Sequence, residues 1–311
     1  MGEDAEGGSA GRLAALVGPT AVGKTAAAVA IAEALGAEIV SCDSMQIYKG
    51  MDIGTAKPGP ELLARVPHHL IDLVDPAHEV TVSEFQALAR AAIAEIAGRG
   101  GLPLLVGGSG LYFRAVVDDL DFPPTHPEVR RRLEAEAGRL GPAALHARLA
   151  ALDLEAAERM EPGNARRVVR ALEVIEITGR PFSQGYSWGR LGGPFELCVA
   201  GLTRERAELY ARIERRVDAM LEAGLVEEAR ALGARGVART ARHALGYRQI
   251  LEAPPDTSQA AIRADIVRAT KRFARRQESW FRADARVRWF DAAARGLDDD
   301  LAAWLRHDRG P

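Results

Sequence analysis

The chain has 311 residues, 47% of them apolar and 27% charged, with a formal net charge of −2. This is an ordinary globular composition, enough for one large α/β domain with an appendage or for two domains. No apolar run approaches the length of a membrane span. The two cysteines, Cys42 and Cys198, make neither a disulfide framework nor a zinc site, and they suit the reducing cytoplasm.

Residues 1–11 are acidic and Gly-rich, lack the basic and apolar regions of a signal peptide, and read as a disordered tail. Leu13 to Val17 follows as a short buried strand, and Ala26 to Leu35 as an Ala-rich helix stopped by Gly36. Between them lies Gly18-Pro19-Thr20-Ala21-Val22-Gly23-Lys24-Thr25, which fits G-x-x-x-x-G-K-[ST]. Strand, loop and helix are the context a phosphate-binding loop requires. Its backbone N–H groups turn inward to cradle phosphate oxygens, with the helix N-terminus behind them. Lys24 reaches the outer phosphate, and the Thr25 hydroxyl is the expected Mg²⁺ ligand. The bland alternative is a chance match in a Gly-rich chain.

A second strand, Ala37 to Cys42, runs into Asp43. Ligands of open parallel sheets sit beyond the carboxyl ends of the strands, so topology alone puts Asp43 near the loop. Residues 51–60 are Gly/Pro-rich loop. His68 and His69 invite a metal reading, but neighbours on a strand point to opposite faces and no third ligand stands at helpful spacing, so packing is favoured. Thr81 to Gly98 reads as an amphipathic helix with Phe85, Leu88, Ala92 and Ile96 on one side. The next strand, Leu102 to Val106, opens into Gly107-Gly108-Ser109-Gly110-Leu111-Tyr112. That turn is either a second anion nest with a hydroxyl at Ser109 or a plain strand-to-helix corner.

From about Asp118 to Pro194 the alternation of strand and helix stops and only helical periodicity remains. The spacing predicts an α/β fold: a phosphate-loop NTPase-like parallel sheet begun by residues 12–117, a helical insertion domain over 118–194, and core completion with a basic helical region over 195–311. Phe195 to Leu202 rejoins the sheet, helices over Arg204–Glu222 and Leu225–Ala234 are split by Gly224, and Thr257 or Ser258 caps a long helix ending near Arg282. Between Ile262 and Phe290 there are nine basic residues and three acids, against the acidic balance of the whole chain. Arg268, Arg272, Arg275, Arg282 and Arg286 fall on one stripe, opposite Ile262, Ile266, Ala269, Phe273 and Trp280. Such a row suits nucleic-acid phosphates, the alternative being a solvated charged face. Arg130, Arg131, Arg132, Arg166, Arg167 and Arg170 form a second basic cluster, in which Arg170 could equally pair with Glu173.

A phosphate-loop NTPase usually places a second acid at a strand end to hold Mg²⁺; here the strand Leu102–Val106 ends in Gly-Gly. One carboxylate, Asp43, beside a cradled diphosphate suits instead a reaction in which diphosphate leaves and the carboxylate is the base.

Taken together, these segments resemble the tRNA dimethylallyltransferases. The resemblance rests on residues 18–25, on Asp-Ser-Met-Gln-Ile-Tyr at 43–48 with Gly-Met-Asp-Ile-Gly-Thr-Ala-Lys-Pro at 50–58, and on Gly-Gly-Ser-Gly-Leu-Tyr at 107–112. Arg-Ala-Leu-Glu-Val at 170–174, Gly-Tyr-Arg at 246–248 and Arg-Arg-Gln-Glu-Ser-Trp-Phe-Arg at 275–282 extend it over the chain after residue 12. It implies transfer of a dimethylallyl group from dimethylallyl diphosphate to N6 of the tRNA adenosine 3′-adjacent to the anticodon, with Mg²⁺ as cofactor. It implies Asp43 as general base and Thr20 to Thr25 around the diphosphate, an allylic diphosphate rather than the ATP with which such loops are often associated. Ser109, where Thr is commoner, and Arg216 would assist. For the tRNA anticodon stem-loop it implies Asp43, Ser44, Met45 and Gln46; Arg130; and Arg166, Arg167, Val168, Val169 and Arg170. It adds His243, Gly246, Tyr247 and Arg248, then Arg275, Arg276, Gln277, Trp280 and Arg282, with Ser109 beside them. A monomer acting away from membranes, of the bacterial type without a zinc-finger extension, is expected. The rivals are a small-metabolite kinase, a prenyltransferase acting on free nucleotides, and an RNA-binding protein with a relic loop.

Overall fold

The computed structural model describes residues 11–120, 122–184 and 191–307; residues 1–10 of the expected tail lie outside this range, and Gly11, expected with them, already opens the first strand. The chain divides into two compact units, one built from the chain up to Val117 and from Gly192 onward, the other from Asp118–Leu191. The insertion thus closes three residues earlier than the expected 194.

In the first unit, β1 (Gly11–Val17) leads to α1 (Lys24–Leu35), β2 (Ala37–Cys42), α2 (Pro60–Leu63) and β3 (His68–His69). Then come α3 (Val82–Gly98), β4 (Leu102–Gly107) and α4 (Gly110–Val117). The second unit holds α5 (Pro127–Leu140), α6 (Pro142–Leu152), α7 (Leu154–Glu158) and α8 (Ala165–Thr178). Back in the first unit are β5 (Phe195–Thr203), α9 (Arg206–Glu222), α10 (Leu225–Arg235), α11 (Arg239–Arg242), α12 (Tyr247–Leu251), α13 (Gln259–Arg282), β6 (Val287–Asp291) and α14 (Leu297–His307). Among the described residues, no helix is long and apolar enough to cross a membrane.

The six strands form one parallel sheet in the order β3-β2-β4-β1-β5-β6. β1 is central, and its continuous apolar run follows from burial on both faces. Leu13, Ala15 and Val17 join one core cluster and Ala14 and Leu16 the other. α1 covers the second cluster through Ala28, Val29, Ile31 and Ala32, and ends at Gly36 in the left-handed conformation. α3 covers the first, capped by Thr81, whose side chain accepts from the Glu84 N–H. Its buried residues are Phe85, Ala89, Ile93 and Ile96, so Leu88 and Ala92, expected inward, sit one step aside and are only half-buried.

α13 begins at Ser258, whose hydroxyl accepts from the Ala261 N–H. Its inner face is Ile262, Ile266, Ala269, Thr270, Ala274, Gln277 and Phe281. Phe273 and Trp280 were expected there but flank it: Phe273 lines a cavity, and Trp280 is 36% exposed. The inward face turns along the helix because Gln277, polar in sequence, is a buried position. Arg286 lies beyond the end of the helix and pairs with Asp284, so it does not extend the arginine row.

The insertion has a core of its own, with Leu133, Leu145, Leu149, Val168 and Leu172 all at most 2% exposed. Each such side chain contributes roughly 1.5–3 kcal/mol on burial. Asn164 caps α8 by accepting from the Arg167 N–H, and Gly179 closes it.

Candidate active site

Register places the chemistry. Val17 and Gly107 are paired across β1 and β4, and Cys42 and Gly107 across β2 and β4. The loop after each strand therefore leaves the same rim of the sheet: the phosphate loop, the Gly108–Ser109 turn and Asp43 become neighbours. All three line one cavity of about 1030 Å³, closed from the other side by α9, residues 243–249 and α13.

In this cavity Lys24 Nζ donates to the Gly18 and Pro19 carbonyls, at 2.8 Å each. Burial, reinforced by the Arg216 guanidinium and opposed by Asp43, pushes the Lys24 ammonium down to about 7. The same burial lowers Arg216, with Asp43 acting to restore it. Arg216 Nη1 reaches the Thr20 hydroxyl at 3.4 Å, and Arg212 Nε donates to the Ala21 carbonyl at 2.8 Å. Two cations thus face one carboxylate in a partly desolvated site. Burial and mutual repulsion make this excess of positive charge costly, so Lys24 gives up its proton readily, and an anion between the two groups would hold that proton in place. Thr25, at the start of α1, lines the same cavity.

Asp43 is fixed by its own turn, Oδ1 accepting from the Met45 N–H at 2.9 Å. Gln46 braces the opposite wall: its Nε2 donates to the Thr55 and Ala56 carbonyls at 3.3 and 3.4 Å, and its Oε1 accepts from the Ser41 hydroxyl at 2.9 Å. Beyond Arg216 the wall turns apolar, through Val217 and Met220 of α9 and Ile266, Ala269 and Phe273 of α13. The arrangement offers a polyanion cradle, a carboxylate and a greasy flank within one space.

The residues expected at the RNA divide by exposure. His243, Arg248, Arg275 and Arg276 are exposed, and His243, Arg248 and Arg276 also line the cavity mouth with Ser44, Met45 and Gln46. On α13, Arg268 and Arg282 pair with Asp265 and Glu278, both at 2.8 Å, while Arg272, Arg275 and Arg276 have no ion pair among the described residues. Tyr247 and Gln277 are buried and hydrogen-bonded to protein, so their side chains are structural: Tyr247 donates to Glu228 Oε1 at 2.6 Å. Gly246 is buried as well.

In the insertion, Arg166 and Arg167 are exposed. Val168 and Val169, expected at the RNA, are 0% and 4% exposed and belong to the unit's core, because α8 points that face inward. Arg130 and Arg170 both hold the buried Glu173 carboxylate, at 2.6 and 2.7 Å. Burial pushes that carboxyl up, but the two guanidinium groups and the His126 N–H outweigh it and hold it below the ordinary range.

The His68–His69 pair is explained by packing. His69 Nε2 meets Glu38 at 2.8 Å and His68 Nδ1 the Val66 carbonyl at 2.8 Å. Among the described residues no three His, Cys, Asp or Glu side chains cluster as a metal site. Glu228 carried no sequence signal beyond an acid in the first turn of a helix. It accepts from the backbone N–H groups of Asp52, Ile53 and Gly54 at 3.0–3.2 Å, so it ties down the loop that walls the cavity.

Residues 46–284 match the IPP transferase family. A protein of Streptomyces avermitilis named tRNA dimethylallyltransferase is 53% identical over 291 residues, covering 93% of each chain. Its namesake in Kineococcus radiotolerans is 53% identical over 299 residues, covering 93% of this chain and 94% of its own. Among solved structures, the tRNA isopentenylpyrophosphate transferase of Bacillus halodurans superposes with a TM-score of 0.69 at 42% identity, over 95% of this chain and 97% of that one. A eukaryotic dimethylallyltransferase acting on tRNA shares the fold with a TM-score of 0.79 at 24% identity, over 94% of this chain and 77% of its own.

Proposed function

The chain belongs to the IPP transferase family, and on that premise we propose that its cavity moves a dimethylallyl group from dimethylallyl diphosphate to N6 of the adenosine 3′-adjacent to the anticodon of tRNA, releasing diphosphate. Prenyl transfer to tRNA follows from the kinship. The assignment of individual residues is our reading of the cavity.

The observation that carries this reading is the meeting of Lys24, Arg216 and Asp43 at the end of the phosphate loop. The diphosphate lies in the loop, where Lys24, Arg216, the Thr20 and Ser109 hydroxyls and the backbone N–H groups of residues 22–25 take up the charge that develops on it. The prenyl group lies along Val217, Met220, Ile266 and Phe273. The adenine leaves the anticodon-loop stack, at a cost of a few kcal/mol, roughly, and enters past Ser44 to Gln46. N6 then attacks C1 of the donor. The N–C bond forms as the C–O bond to diphosphate breaks, and the N6 proton passes to the Asp43 carboxylate.

Magnesium would be held by the Thr25 hydroxyl and the donor's own phosphate oxygens, a protein-poor set that fits its preference for phosphate and water ligands. When bound it neutralises charge on the leaving diphosphate. RNA is gripped by Arg272, Arg275 and Arg276 on α13, and by Arg166 and Arg167 on the insertion.

The test is incubation with labelled dimethylallyl diphosphate and either tRNA or AMP. Label should enter the tRNA at the adenosine named, and none should enter AMP. Label in AMP alone would replace this reading with the free-nucleotide one.

A further inference from the structure

Gln277 sits on the buried face of α13 at 7% exposure. Its side-chain amide makes two hydrogen bonds to backbone on different loops. Oε1 accepts from the Thr20 N–H of the phosphate loop at 2.8 Å, and Nε2 donates to the Gly108 carbonyl at 2.8 Å. The two partners lie 257 and 169 residues away in sequence. Thr20 carries the hydroxyl that Arg216 reaches, and Gly108 precedes Ser109.

The fit is close. A Cβ at Gly108 would meet Gln277 Nε2 at 2.3 Å, and one at Gly110 would meet the Trp280 ring at 2.1 Å. The second glycine turn is therefore shaped around two side chains of α13, one turn apart. On the same helix, Arg275 and Arg276 immediately precede Gln277 and are exposed.

We propose that Gln277 is a positioning residue of the diphosphate cradle, stapling the phosphate loop to the Ser109 turn and hanging both from the RNA-facing helix. The proposal rests on the donor reading above. A primary amide suits this role because one group supplies both an acceptor and a donor, in a fixed fork. Thr20 N–H and Gly108 C=O would otherwise be partly buried with no protein partner, and each would be free to turn. With the staple in place, the hydroxyls of Thr20 and Ser109 are held at a set separation across the leaving group. Orientation of this kind acts on the donor before it acts on the RNA.

The experiment compares wild type with Gln277→Leu and Gln277→Glu, using full chain, magnesium, dimethylallyl diphosphate and an anticodon stem-loop RNA. Three quantities are read: KM for the donor, kcat, and the Kd for the RNA without donor. Gln277→Leu should raise the donor KM tenfold or more and leave the donor-free RNA Kd within twofold. Gln277→Glu keeps the acceptor for Thr20 but sets a carboxylate against the Gly108 carbonyl. Its donor KM, as a ratio to wild type, should fall towards one as the pH is lowered, because the protonated carboxyl donates to Gly108 again. The Leu ratio should stay flat with pH. A donor KM within twofold of wild type in both variants overturns the proposal. So does an RNA Kd that weakens tenfold while the donor KM stays put. If Gln277→Leu does not fold, the pH ratio of the Glu variant decides alone, a flat ratio counting against the staple. Should wild type transfer no prenyl group, the donor reading itself fails; transfer by wild type with unaltered variants sinks only the role of Gln277.

Discussion

Tyr247 donates its phenol to Glu228 across 2.6 Å, and the same carboxylate gathers the N–H groups of Asp52, Ile53 and Gly54. Burial first, then this acid, raise the phenol above its ordinary range, so it stays a donor. Glu228→Ala leaves three loop N–H groups and the phenol without their shared acceptor. Stability should fall by about 2–3 kcal/mol, read as a lower urea midpoint. Activity should fall further than the folded fraction does, because the 54–59 wall loses its anchor.

Asp43→Asn keeps the shape of the site and removes the proposed proton acceptor. Single-turnover prenyl transfer should slow by about 10² or more, with tRNA affinity within about twofold. A rate near wild type would strip Asp43 of its role as base.

Lys24 supplies a pH signature. Its ammonium lies near 7 in the donor-free protein and at 10.5 when unperturbed. Between those values the unfolded chain binds the extra proton, so this group makes the donor-free protein more stable as pH rises from 7 towards 10.5, and less so below. Diphosphate reverses the preference, because its charge holds the proton on Lys24. Binding at pH 8.5 should therefore take up close to one proton per donor, roughly. Calorimetry in two buffers of different ionisation enthalpy reads this number, and Lys24→Met should abolish it. Uptake that persists in the variant would assign the proton elsewhere.

Arginines that look alike in sequence should behave differently. Arg275→Ala with Arg276→Ala should weaken tRNA binding and flatten the dependence of log Kd on log salt by about 0.7–0.9 for each phosphate left without its arginine, with no change in melting temperature. Arg170→Met removes one of the two guanidinium partners of the buried Glu173 and should destabilise the insertion by about 2 kcal/mol, the scale of a hydrogen bond to a charged group. That loss should shrink in acid, because the carboxyl's stabilising contribution, complete above its ordinary value near 4.5, disappears as pH falls through its lowered folded value. An unaltered salt slope in the first case, or an unaltered melt in the second, would contradict these assignments.

The local signals in the chain were the legible ones. Gly18 to Thr25 is contiguous, the strands ending at Val17, Cys42 and Val106 are short apolar runs, and Ser258 and Gly36 mark helix ends by composition. Asp43 could be placed because parallel topology sends every strand's carboxyl end to one rim. Residues whose purpose is set by distant partners stayed hidden. Gln277 and Glu228 are polar residues in amphipathic helices and by side-chain type they read as surface, although Gln277 stands four residues after Phe273 and three before Trp280, on the apolar side of α13. Arg216 stands among Arg204, Arg206, Arg212 and Arg215, and only family resemblance singled it out. The Val168–Val169 pair looked like part of a basic RNA segment because it adjoins Arg166 and Arg167; the inward side of α8 was decided by Leu133 and Leu149, which come earlier in the chain.

The placing of β5 beside β1 has a consequence for biosynthesis. While the ribosome works through the insertion, β1 remains the outer strand of a half-built sheet, with one side of its backbone unpaired until Phe195–Thr203 emerges. At translation speeds of roughly 5–20 residues per second, that interval lasts on the order of ten seconds. Through it the nascent chain displays an apolar, nearly uncharged edge, the kind of surface on which neighbouring polypeptides stick. The insertion's self-contained core lets those intervening residues collapse among themselves during the wait.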